Sequence, residues 1–118
     1  MAKRKRKATT RLQNRPSIKR LRSMVEEATV DCYNDDEATG AFACAIESGL
    51  KMPFTTTVLG IDVEVIGVDQ DESGHVVATC KKGRATQRIP ILELPLPSPP
   101  PSGVEWIAAY RAWLRGDY

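Results

Sequence analysis

The chain has 118 residues, enough for about one domain with a modest core. Its apolar content of 42% is that of an ordinary globular protein, no run of about 18 apolar residues is present to span a membrane, and the charged N-terminus lacks the apolar stretch of a secretory signal. The net charge of +2 is a sum of opposites: residues 1–24 hold ten Lys/Arg and no acid, whereas residues 25–118 hold seven Lys/Arg and all fifteen Asp/Glu, so a +10 segment precedes a −8 body.

Residues 1–15 have almost no apolar side chains to offset their conformational entropy, and residues 1–17 read as a disordered basic arm on a single domain of residues 18–118. Within the arm, Lys3, Arg4, Lys5, Arg6 and Lys7 form a dense cationic run. Such a run binds nucleic-acid phosphates by counterion release, serves as an import-type signal, solubilises the chain or folds back on the acidic body. It contains no aromatic residue, so base stacking is not indicated.

Pro16-Ser17 offers a helix start, and Ile18, Leu21, Met24, Val25 and Ala28 follow at helical spacing, which predicts a helix over 18–29. A second helix is framed by Asn34 as cap and Glu37 three residues on, with Ala38, Ala41, Phe42, Ala45 and Ile46 on one face and Gly49 as the residue after its end. From Pro53 the period changes to two. Phe54–Leu59, Ile61–Val68, Val76–Lys81 and Gln87–Leu92 read as strands, with turns at Gly60, Asp69–Gly74 and Lys82-Gly83. Residues 94–101 (LPLPSPPP) read as an extended, polyproline-like strap. A last helix over 103–115 opens on a Ser102/Glu105 capping box, carries Trp106, Ile107, Tyr110, Trp113 and Leu114 on one face, and stops at Gly116. The fold class is therefore α+β: a small curled antiparallel sheet or barrel with two N-terminal helices and a C-terminal amphipathic helix.

The residues assemble no catalytic set. His75 is the single histidine, G-x-S-x-G and phosphate-cradling glycine loops are missing, and the expectation is a protein that is not an enzyme. Cys32, Cys44 and Cys80 are widely spaced with no C-x-x-C, as free thiols in a reducing cytoplasm would be.

Two acidic segments carry the ligand-bearing residues. The first, Asp31-Cys32-Tyr33-Asn34-Asp35-Asp36-Glu37, sets Asp31, Asn34, Asp35, Asp36 and Glu37 at the head of the second helix. Acids there offset the helix dipole and cap free N–H groups, but five oxygen-bearing side chains exceed that need, and calcium takes six to eight oxygen ligands. The second, Asp69-Gln70-Asp71-Glu72-Ser73-Gly74, matches the first half of an EF-hand loop, D-x-D-x-S-G, but carries Cys80 where the bidentate Glu belongs and is flanked by strands. It is either a partial oxygen-ligand turn, with Asp69, Asp71 and Ser73 facing one point, or a polar hairpin turn.

The stretch Val30–Glu37, the Pro53-Phe54 pair, the Gly60–Val68 strand and Arg88-Ile89-Pro90-Ile91 together resemble the cyanobacterial-type calcium-binding protein family, whose V-D-A-Y motif leads through acids into a helix; Cys32 stands here for its Ala. The resemblance covers about residues 25–96. It implies a small α+β domain that binds Ca2+ through surface acids, with Asp31, Asp35, Asp36 and Glu37 as candidates. The resulting expectation is a cytoplasmic calcium buffer or sensor, with no membrane partner and an unknown protein partner. The alternative is a nucleic-acid-associated or protein-interaction module, in which a Tudor-like or KOW-like barrel is anchored by the arm.

Overall fold

The computed structural model describes residues 16–118. The expected disorder of the arm and its cationic run Lys3–Lys7 lie outside the described residues. Helix α1 (Ile18–Thr29) is capped by Ser17, whose hydroxyl accepts from the Arg20 N–H at 3.1 Å. Helix α2 (Asp35–Gly49) is capped by Asn34. Four strands follow, β1 (Phe54–Val58), β2 (Ile61–Gln70), β3 (Val76–Lys82) and β4 (Ala85–Pro90). After a 3-10 turn at Ile91–Glu93 and the proline strap, α3 (Glu105–Arg115) closes the chain.

The strands form an antiparallel meander in the order β1-β2-β3-β4. Of the two sheet shapes the sequence allowed, the open one is correct and the barrel is not: β1 and β4 are both free edges. Closure would need a strand to cross back to β1, and Pro90, which lacks an N–H, ends β4 instead. The strand expected over Gln87–Leu92 accordingly lies two residues earlier, and Ile91–Glu93 turns as a 3-10 helix so that Ile91 enters the core. In β2 the register shifts between Val65 and Gly67, a bulge that turns Ile66 outward while Val65 and Val68 stay buried.

One face of the sheet is covered by α2, and α1 and α3 pack against α2 and each other. The shared core runs from Met24 and Val25 through Phe42 and Ile46 to Val65, Val76 and Ala78, with Ile107 and Tyr110 from α3. Phe42, Tyr110 and Trp113 meet as an aromatic cluster, with ring centroids 5.4–6.4 Å apart. The apolar stripe of α3 is therefore mainly core, as expected; Trp106 and Trp113 at its margins are half-buried and Leu114 is exposed.

The start of α3 differs from the sequence reading. No side chain caps it, and Val104 is the residue before its first turn. Ser102 is engaged elsewhere: its carbonyl accepts from the Lys51 N–H at 2.8 Å. Gly103 has φ +94 and packs on the Gly49 carbonyl, where no Cβ has room. This clasp fastens the strap's C-terminal end to the end of α2, and Thr56 Oγ1 fastens its N-terminal end by donating to the Pro95 carbonyl at 2.6 Å. Gly49 also departs from expectation. It is the last residue of α2 rather than a left-handed residue beyond it, and the N–H of Leu50 closes the helix on Ile46. Gly116 does end α3 in the left-handed conformation. Among the described residues no helix is long and apolar enough to cross a membrane.

Candidate metal centre

The first acidic segment occupies the turn from α1 into α2. The Asn34 side chain accepts from the Glu37 N–H at 2.9 Å. Glu37 Oε2 reaches back to the N–H of Tyr33 at 3.3 Å, one residue earlier than in a standard capping box. Asn34 and Glu37 are thus taken up in holding the turn. Asp31, Asp35 and Asp36 are exposed, and among the described residues no Lys, Arg or His stands within 4.0 Å of their carboxylates. Asp35 and Asp36 sit in the first turn of α2, where its exposed N–H groups favour an anion over a cation. A cation on this segment must be reached by carboxylates projecting away from the helix axis.

The second segment is the β2–β3 turn, and its chemistry is different. Asp71 Oδ1 accepts from the N–H groups of both Ser73 and His75 at 2.9 Å. The bond from His75 is the main cause holding the Asp71 carboxyl below its usual value, with that from Ser73 adding to it. His75 Nδ1 lies 3.7 Å from the same oxygen. Asp69 Oδ1 accepts from the next N–H, that of Gln70, at 2.8 Å. Arg88, from β4, reaches across β3: its guanidinium donates to Glu72 Oε1 at 3.3 Å and to the Gln70 carbonyl at 3.2 Å, and stands 4.0 Å from Asp69 Oδ2. The turn therefore has its own cation and uses Asp71 to pin its own backbone. These are the bonds that a polar hairpin turn makes.

Gln70 connects the two segments. Its amide donates to the Gly74 carbonyl at 3.0 Å, and its Oε1 lies against Gly40, 3.4 Å from where a Cβ would stand. The β2–β3 turn thus lies beside the N-terminal half of α2. Even so, among the described residues no three His, Cys, Asp or Glu side chains stand together to hold a metal ion.

Arg88 and Gln70 were not singled out from the sequence. Arg88 lies sixteen residues beyond Glu72, and only the β3–β4 register, which pairs Thr79 with Arg88, brings it to the turn.

No family model and no curated protein matches this sequence. Among solved structures, the chain is similar in fold to the crystal structure of Anabaena CcbP, with a TM-score of 0.64 over 84% of this chain and 92% of that one at 15% identity. A likeness at that identity is one of fold alone; among the described residues this chain sets three helices on an open four-stranded antiparallel sheet.

Proposed function

We propose that this domain binds calcium at the α1–α2 turn through Asp31, Asp35 and Asp36, as a cytoplasmic buffer or sensor without enzymatic activity. The observation that carries the reading is the contrast between the two acidic segments. The β2–β3 turn has Arg88 beside two of its three carboxylates, while the α1–α2 turn leaves three exposed carboxylates without a protein cation among the described residues. This segment also lies at the centre of the resemblance to calcium-binding proteins, and the fold likeness to CcbP is consistent with it. Calcium would supply only charge neutralisation here, tying carboxylates that otherwise repel each other.

The donor set fits a weak, wet site. With no three acids converging and Asn34 and Glu37 occupied in the cap, water must complete the six to eight oxygens that calcium takes. The affinity expected is at or weaker than about 10⁻⁵ M, the weak end of the sensor range. Because binding to the folded state alone raises stability as RT ln(1 + [L]/Kd), calorimetric titration with calcium and then magnesium, paired with melts at millimolar ion, tests the reading. A heat of binding and a rise in Tm specific to calcium support it. Equal melts with and without calcium reject it.

A further inference from the structure

The two free edges of the sheet are built differently. On β4 the edge is guarded: Arg88 stands within the strand, and Pro90, which has no N–H, ends it. Charge and proline are the usual devices that keep an edge from pairing. β1 has neither. The run Phe54–Leu59 carries no charge and no proline, and Thr55, Thr56, Thr57 and Val58 are all β-branched, the composition that pairs most readily.

The ladder decides which groups of β1 are free. Its turn, Leu59-Gly60, has two left-handed residues and closes on the pair Val58 and Ile61. A two-residue hairpin turn closes on a hydrogen-bonded pair, and bonded and non-bonded pairs alternate along an antiparallel ladder. Phe54, Thr56 and Val58 therefore bond to β2, while the N–H and C=O groups of Thr55 and Thr57 point outward. Both of these residues are exposed, and among the described residues no backbone hydrogen bond joins β1 to any element but β2. The middle of the strand is held from below, where the buried Thr56 hydroxyl donates to the Pro95 carbonyl. The edge is thus a fixed row of unpaired donors and acceptors.

We infer that β1 pairs antiparallel with β1 of a second copy of this chain, about a two-fold axis through Thr56, and joins the two four-stranded sheets into one. The strand is its own complement in that register. Thr55 falls opposite Thr57 of the second copy and Thr57 opposite its Thr55, so every outward N–H and C=O finds a partner. Phe54 falls opposite Val58, an aromatic–β-branched pair, and both side chains lie on the core side of the sheet. Thr56 meets Thr56, and no like charges face each other. The neighbouring registers are poorer. One sets Thr57 opposite Pro53, which has no N–H, and the other sets Thr55 opposite Leu59 in the left-handed turn. Leu59, 96% exposed in the single chain, comes beside Pro53 of the second copy. The contact joins the same surface of both chains, so it closes at two, and the guarded β4 edge stops further growth. One strand of five residues a side falls well short of the roughly 20–30 residues of a standard interface, and association is therefore weak and concentration-dependent.

Analytical ultracentrifugation of the full chain from micromolar to millimolar, with amide hydrogen exchange at both ends of that range, is the test. The parent should pass from monomer to dimer and no further, and the amides of Thr55 and Thr57 should gain protection as it does. Thr55→Lys with Thr57→Lys sets like charges opposite each other at both pairs. Once circular dichroism shows this variant folded, its association should be weakened several-fold or lost. Thr55→Lys with Thr57→Glu sets opposite charges at the same two places and should associate at least as well as the parent. That last result is specific to the register, because a pairing of Thr55 with Thr55 would bring like charges together in both variants. A parent that stays monomeric at millimolar concentration overturns the inference, as does growth beyond a dimer. Association that leaves the Thr55 and Thr57 amides unprotected, that survives the two lysines, or that is lost in the folded Lys/Glu variant overturns it as well.

Discussion

The indole of Trp106 lies against the bare Cα of Gly49: a Cβ there would stand 2.8 Å from Trp106 Cδ1 and 3.2 Å from its Nε1. The last turn of α2 and the first turn of α3 are thus in contact through a space that only glycine leaves open. Gly49→Ala should therefore destabilise the domain by about 1–3 kcal/mol, the usual cost of overpacking. This is opposite in sign to the gain of about 1 kcal/mol that alanine brings to an unobstructed helix. Trp106→Ala should cost less than the roughly 3–5 kcal/mol of a fully buried tryptophan, because the side chain is only partly buried. In the double variant the alanine at 49 should become neutral or favourable. Urea midpoints of the four proteins give the coupling, and strict additivity would place the two residues out of contact.

Secondary structure was legible where a local rule decides it. The spacing of Ala38, Phe42 and Ile46 and the Asn34 cap reappear where the sequence placed them, and so do the first and third strands to within one residue. What escaped depends on partners distant along the chain. Gly49 reads as a helix stop, but its absence of side chain serves Trp106; Ser102 reads as a cap, but its carbonyl serves Lys51. Whether the sheet closes depends on where β4 ends, which rests on Pro90 and the burial of Ile91. At the candidate site the acids are visible in the sequence, but the cation beside Glu72 is not, because Arg88 reaches it only through the β3–β4 register.

Asp71 makes the β2–β3 turn sensitive to acid. Its folded pKa is lowered, chiefly by the His75 N–H and then by that of Ser73, so the ionised form is favoured by the fold. A depressed carboxylate contributes stability that is fully present above its unfolded value of about 3.9 and is lost as pH falls through the folded value. The amides of Ser73 and His75 should therefore lose hydrogen-exchange protection on acidification below the ordinary carboxylate range. In Asp71→Asn, which keeps an acceptor oxygen but no charge, that acid dependence should vanish. Persistence of the same dependence in the variant would place its origin in another group.

The alkaline side belongs to Tyr110. Burial is the main cause raising its pKa, with the Asp71 charge adding to the rise and a hydrogen bond to the Val76 backbone opposing it. A raised tyrosine favours the neutral form in the folded state, so its contribution is complete below the unfolded value of about 10 and is lost above it. Tyr110→Phe removes the bond to Val76 and should cost about 0.5–1.5 kcal/mol near neutral pH, while flattening the loss of stability above pH 10. Chemical denaturation at several pH values reads both effects.

The basic arm and the acidic body divide the expected ligands between them. Ten Lys/Arg and no acid in residues 1–24 make any nucleic-acid binding a property of that segment, because the −8 body repels phosphate. Deleting residues 1–15 should abolish retention on DNA or RNA, and in the full chain retention should weaken steeply with salt, as counterion release requires. Binding that survives the deletion would assign a surface on the folded domain.

Calcium provides the sharpest contrast between the two acidic segments. Asp35→Asn and Asp36→Asn remove charge from exposed carboxylates that hold up no other group through their side chains, so each should lower calcium affinity several-fold and leave the melting temperature without calcium unchanged or raised. The rise would follow from relieved repulsion among neighbouring acids, against which the loss of a favourable charge at the α2 N-terminus counts only about 0.3–1 kcal/mol. Asp71→Asn should do the reverse. It weakens a turn that leans on two N–H bonds to that carboxylate, lowering stability with and without calcium, and leaves the affinity unchanged because that carboxylate is taken up by the N–H groups of Ser73 and His75. Calorimetric titrations and melts of the three variants, each at zero and millimolar calcium, separate the cases. An affinity loss in Asp71→Asn that is non-additive with Asp35→Asn would mean that one ion is shared between the turn and the helix head, across the contact that Gln70 makes with Gly40.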